Sequence, residues 1–207
     1  MGNRRIGRKR LYGVEKQGQS IDLGAGAGIS GAISRATQHR QGQELITEIL
    51  IDLGTSAAAI APGGGDNQII GVASAASAIT QLTEAKFGVI TEVRLVCLED
   101  VDASSANGDD INLVGLPGGV AANATRAQAA SVAALSPVAI ITGGNAPISG
   151  DLDAGMDVSY TTDSGALKDT FLYLTDGAGS ASGAYNGTGG KGKLAIYIHG
   201  FAVPSDL

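Results

Sequence analysis

The sequence predicts a mainly β fold. We expect an antiparallel β-sandwich or barrel, jelly-roll-like, with a basic extended arm at its N-terminus and long Gly/Ala-rich loops. Three observations carry this expectation. Apolar and polar residues alternate at period two through 44–53, 87–100 and 193–203, as in strands with one face more buried than the other. Long Gly-rich stretches part these segments, a spacing that suits antiparallel sheets. Charge is also split along the chain: residues 1–16 hold six bases and one acid, and the rest holds eight bases and nineteen acids. The expected organisation is an arm over 1–20 followed by a single β-rich domain over 21–207.

Composition bounds the answer further. The chain has 207 residues, 43% of them hydrophobic, which is enough for a sizeable core. Ala supplies much of that fraction, Trp is absent and Gly numbers 32, roughly twice average usage. Small residues pack closely against other subunits, so a homo-oligomer is an expected source of extra stability. A single cysteine, Cys97, excludes an intrachain disulfide. The basic N-terminus lacks the apolar run of a signal peptide, and no window approaches a continuous membrane span, so no membrane partner is expected.

Taken in order, residues 1–20 read as an extended arm broken by Gly2, Gly7, Gly13 and Gly18. Arg4, Arg5, Arg8, Lys9 and Arg10 can contact phosphates or an acidic protein surface, with Ile6, Leu11 and Tyr12 as apolar anchors between them. Residues 32–43 are polar with weak helical spacing. In 44–53, Leu45, Thr47, Ile49, Ile51 and Leu53 share one face of a strand. Residues 61–67 form a turn, and 69–83 read as a strand and then a short helix. In 87–100, Phe87, Val89, Thr91, Val93, Leu95 and Cys97 face one way, and Ile90, Glu92, Arg94, Val96 and Leu98 the other. A polar loop over 101–110 precedes Ile111–Val114. The Ala-rich stretch 116–135 is either a helix stopped near Pro137 or an irregular loop. Val138–Thr142 is β-like, 143–155 a turn-rich link, and Met156–Thr162, Thr170–Thr175 and 193–203 are strands around a Gly/Ser loop at 176–192.

The chain carries no set of catalytic groups, and no cofactor is expected. Gly26, Gly28 and Gly31 satisfy G-x-G-x-x-G, but Ile21–Leu23 is short for a first buried strand and no alternation of strands and long helices follows. A linker or surface turn is the expected role. Cys97 would be a nucleophile only beside His39 or His199, and an alternating apolar strand makes it a small hydrophobe instead. His199 reads as a strand-end or interface residue. Asp151, Asp153 and Asp157 resemble part of a calcium loop, but the glycine and the twelfth residue miss the EF-hand spacing, so a turn is the simpler reading. Asp109 and Asp110 mark nothing alone.

The segments MGNRRIGRKRLYGVEK, ATQHRQGQELITEILIDLG, DTFLYLTDG and GKLAIYIHGFA are similar to a group of small virion structural proteins from marine tailed bacteriophages, of cyanophage and pelagiphage type. The resemblance runs in order through most of the chain and is least between residues 101 and 190. It implies a non-enzymatic capsid decoration or cement protein, assembled in the host cytoplasm, with a trimer as the favoured homo-oligomer. The implied partners are the major capsid protein or other virion proteins. Rival readings are a neck, tail or fibre β-module that binds another virion protein or the host surface, and an internal head protein whose arm contacts DNA. The acidic remainder and the single aromatic in the arm weigh against nucleic acid.

Overall fold

The computed structural model describes residues 18–54, 69–72, 75–100, 111–117, 138–141, 154–161, 167–176 and 192–202. Ten strands and one helical turn are described: β1 (Gln19–Ser20), β2 (Ile33–Gln41), β3 (Glu44–Asp52), β4 (Thr80–Gln81), α1 (Glu84–Phe87), β5 (Val89–Glu99), β6 (Ile111–Leu116), β7 (Val138–Ile141), β8 (Asp157–Thr161), β9 (Phe171–Asp176) and β10 (Lys193–Phe201). They form two antiparallel sheets, one of six strands in the order β1-β2-β3-β10-β5-β8 and one of four in the order β4-β9-β6-β7. The fold is mainly β, with the two sheets stacked as a β-sandwich.

The alternation in the sequence becomes the two faces of the larger sheet. Ile49 and Ile51 on β3, Leu194, Ile196 and Ile198 on β10, and Val93, Leu95 and Cys97 on β5 all point inward and are buried. They meet Ile111, Leu113, Leu172 and Leu174 from the smaller sheet in one apolar cluster. Each such side chain contributes about 1.5–3 kcal/mol on leaving water. The smaller sheet is buried on its other face too, where Ile69, Ala78, Val114, Leu116 and Tyr173 form a second cluster. That is why β6 reads as an almost continuous apolar run.

Three sequence expectations shift. Residues 33–41, whose spacing looked weakly helical, are strand β2, held in register by β3 from Ile33 opposite Ile51 to Gln41 opposite Glu44. Its side chains are polar because most of the strand is exposed or half-buried, and pairing with β3 overrides the local pattern. The two-faced reading of 87–100 holds from Val93 onward but slips before it. Gly200 pairs with Ile90 and His199 with Glu92, leaving Thr91 as an inserted residue. This β-bulge reverses the phase, so Ile90 is buried while Val89 is 39% exposed. In 69–83, Ile69 makes an isolated bridge to Thr175, and the helical turn falls just beyond the stretch, at α1. The expectations for 61–67, 101–110, 118–135, 143–153 and 177–191 lie outside the described residues.

Candidate interaction surface

The outward face of the larger sheet carries its charges in a cross-strand row. Register places Thr37 opposite Glu48, Glu48 opposite Tyr197, Tyr197 opposite Arg94, and Arg94 opposite Ser159. Glu48 accepts from Arg35 at 2.7 Å, from the Thr37 hydroxyl at 3.3 Å and from the Tyr197 hydroxyl at 3.3 Å. Arg94 lies over the Tyr197 ring, 5.6 Å from its centroid, and pairs through two nitrogens with the Asp157 carboxylate. The row therefore couples five neighbouring strands through side chains alone.

The electrostatics follow from these contacts. The hydrogen bond from Arg94 holds Asp157 below the usual carboxylate range, and the same bond raises Arg94. Partial burial, followed by the Glu48 charge, pushes Tyr197 above the ordinary phenol value, so its hydroxyl stays protonated and donates. Lys193 is raised by Glu99, and Lys168 by Glu84 at 3.0 Å. Lys86 is the reverse case: burial lowers it, opposed by Asp22. Its ammonium donates to the Leu23 carbonyl at 2.9 Å and so ties the segment after β1 to α1. The charges of the row are compensated by neighbours on adjacent strands of the same sheet face.

The arm residues Arg4, Arg5, Ile6, Arg8, Lys9, Arg10, Leu11 and Tyr12 lie outside the described residues. The described chain starts at Gly18, which lies against the His39 ring, and Gln19 pairs with Gln38 at the edge of the larger sheet. Cys97 is buried, and its thiol donates to the Glu99 carbonyl at 3.3 Å. His199 is on the outward face, its Nδ1 3.7 Å from the Glu44 carboxylate. Cys97 pairs beside Leu194, five residues along β10 from His199, so roughly 17 Å of strand separates them. Of the calcium-like aspartates, Asp157 is engaged by Arg94, whereas Asp151 and Asp153 are outside the described residues, as are Asp109 and Asp110. Among the described residues, no group of three or more His, Cys, Asp or Glu side chains is placed to hold a metal ion, and no helix is long and apolar enough to cross a membrane.

The G-x-G-x-x-G stretch is used for backbone packing. The Gly26 and Gly28 N–H groups donate to the Ala78 and Ala76 carbonyls at 2.8 and 2.7 Å, and Val72 N–H donates to the Gly28 carbonyl at 2.9 Å. A Cβ on Gly26 would lie 2.6 Å from the Ala76 carbonyl carbon, and one on Gly28 would lie 2.8 Å from the Ala75 oxygen. Both N–H groups thus face a neighbouring chain segment. The third glycine, Gly31, has open space where its Cβ would stand. An open groove of about 350 Å³ beside this stretch is lined by Ile21, Asp22, Leu23, Ile33 and Arg35 among others.

The row of Glu48, Tyr197, Arg94 and Asp157 was not apparent in the sequence, because it depends on pairings between residues far apart in the chain. The period-two phase of β3, β10 and β5 was the available signal, placing Glu48, Tyr197 and Arg94 on outward faces. Comparison of the chain with protein-family models, with curated proteins and with solved structures finds no match.

Proposed function

We propose that this chain is a non-enzymatic virion structural protein. In this reading it is a capsid decoration or cement protein that bridges and stabilises major capsid subunits through its β-body and its basic arm. The observation that carries the reading is the charge division. Six bases and one acid occupy residues 1–16, whereas the rest of the chain is strongly acidic. The segment joins the body at the edge of the larger sheet, where Gln19 pairs with Gln38. A flexible number of charge-assisted contacts, repeated by shell symmetry, gives strong retention from individually weak contacts. The sandwich, with jelly-roll-like switching of the chain between its sheets, would lie on the shell as a homo-oligomer, with a trimer favoured.

The test is replacement of Arg4, Arg5, Arg8, Lys9 and Arg10 together by Ala, with copies per particle counted by quantitative mass spectrometry. Occupancy should fall while the circular dichroism spectrum of the body is unchanged. Unchanged occupancy removes the arm from the reading. Recovery of the chain with tails instead of heads favours a neck, tail or fibre module. Salt-sensitive DNA retardation that depends on residues 1–16 favours an internal head protein.

A further inference from the structure

We infer that the body docks through one particular pole of the sandwich, the end formed by the β2–β3 turn, the start of β5 and the end of β10. The inference rests on the decoration reading and specifies which face of the body meets the partner that takes the arm.

Three described features converge there. The first is the root of the arm. β1 runs antiparallel to β2, with Gln19 opposite Gln38 and Ser20 opposite Thr37. Moving from Ser20 back to Gly18 therefore leads towards Gln41 and the turn at Gly42. The second is apolar exposure. Of the three large hydrophobic side chains exposed among the described residues, Val89 at 39% and Phe201 at 49% are direct cross-strand partners at this pole. Phe201 faces Glu44 on its other side, next to the same turn. The third, Leu98, stands alone at the opposite end of β5 as the residue left over where Leu194 pairs with Cys97 and Lys193 with Glu99.

The third feature is rigidity. The Gln38 amide donates to the Lys86 carbonyl at 2.8 Å, joining the strand that carries the arm root to α1 and the Gly88–Val89 turn. Gly88 N–H closes α1 on the Glu84 carbonyl at 2.8 Å, and Ala202 N–H donates to the Gln43 carbonyl at 2.8 Å. Gly88 has φ of 67°, and a Cβ there would lie 2.5 Å from the Phe201 carbonyl carbon. The arm root and the apolar pair are thus parts of one fixed unit. An aromatic held on rigid backbone costs little entropy to bury and makes an effective anchor.

The occupant follows from what leaves this pole. Residues 1–17 reach up to roughly 60 Å when extended and carry the basic cluster. The partner therefore presents an acidic surface to the arm and, within that reach, an apolar depression to Phe201 and Val89. A major shell subunit meets that description under the decoration reading. A second copy of this chain is the competing occupant.

The experiment places a photo-cross-linker at either pole of the full chain on assembled particles, as Phe201→p-benzoylphenylalanine and Leu98→p-benzoylphenylalanine. Irradiated heads should give a cross-link from position 201 to a different, shell-forming chain, about tenfold stronger than from position 98. In parallel, Val89→Ser/Phe201→Ser should melt with the parent, since both side chains are exposed, yet occupy about tenfold fewer sites. Cross-links from position 98 alone, from neither position, or from position 201 only to another copy of this chain overturn the docking pole and leave the decoration reading standing. Absence of the chain from purified heads by mass spectrometry removes the decoration reading, and this docking face with it.

Discussion

Replacing Gly26 by Ala separates two meanings of the same glycines. In a nucleotide loop the glycines admit a pyrophosphate. In this fold they admit the backbone of residues 75–78. The added Cβ would lie 2.6 Å from the Ala76 carbonyl carbon, where carbon atoms prefer about 3.5–4 Å. One segment must move by roughly 1 Å. The neighbouring hydrogen bonds, Gly26 N–H to Ala78 at 2.8 Å and Gly28 N–H to Ala76 at 2.7 Å, would stretch with it. Overpacking costs about 1–3 kcal/mol, and one weakened backbone bond adds about 1 kcal/mol. The expected loss is therefore about 2–4 kcal/mol, which lowers Tm by roughly 5–15 °C for a chain of this size. Gly31→Ala is the internal control. The position is open, so Tm should stay within about 2 °C of the parent. Thermal unfolding followed by circular dichroism at fixed protein concentration reads both. Equal melting of Gly26→Ala and the parent, or a large loss for Gly31→Ala, would refute the packing argument.

Two further outcomes follow from described contacts. The Arg94 pair depresses Asp157, so its stabilisation is present above the unfolded carboxylate range and is lost as pH falls through the lower folded value. Arg94→Ala should speed amide exchange in β8 at neutral pH and abolish the difference from the parent in strong acid; equal exchange at neutral pH would show that the pair does not hold the edge strand. Cys97 is buried among core residues, so native protein should resist thiol reagents until unfolded. Cys97→Ser should cost about 0.5–2 kcal/mol, because a more polar group is buried but can still donate to the Glu99 carbonyl, and rapid labelling of the folded protein would contradict that placement.

Strands whose two faces differ in burial were legible in the sequence. Ile49 and Ile51 against Glu48 and Leu50, and Leu194, Ile196 and Ile198 against Tyr197 and His199, declared both element and orientation. β2 was not legible, because its register comes from β3 and its side chains mostly meet solvent. The phase of β5 failed at Thr91 because a bulge inserts one residue without any local mark; neither Gly nor Pro stands there. The Gly26–Gly31 pattern read as a linker or surface turn, and the backbone of residues 75–78 packed against Gly26 and Gly28 left no mark in the local sequence. The charged row on the outer face needed β3, β10, β5 and β8 side by side, and their order is set by contacts such as Arg94–Asp157 across 63 residues and Glu48–Tyr197 across 149. The division of charge between residues 1–16 and the rest of the chain came from counting alone.

β10 lies between β3 and β5, yet it is made after every other described strand. A nascent chain that has reached residue 192 holds β3 and β5 with their inner edges unpaired, each presenting free N–H and C=O groups and the apolar faces of Ile49, Ile51, Val93 and Leu95. Contacts of such long sequence separation close slowly, and open edges recruit other strands. The larger sheet therefore cannot be completed piecemeal during synthesis. A chain truncated before Lys193 would lack the strand that joins β3 to β5 and would be exposed to aggregation or proteolysis, so this strand order acts as a length check on the chain.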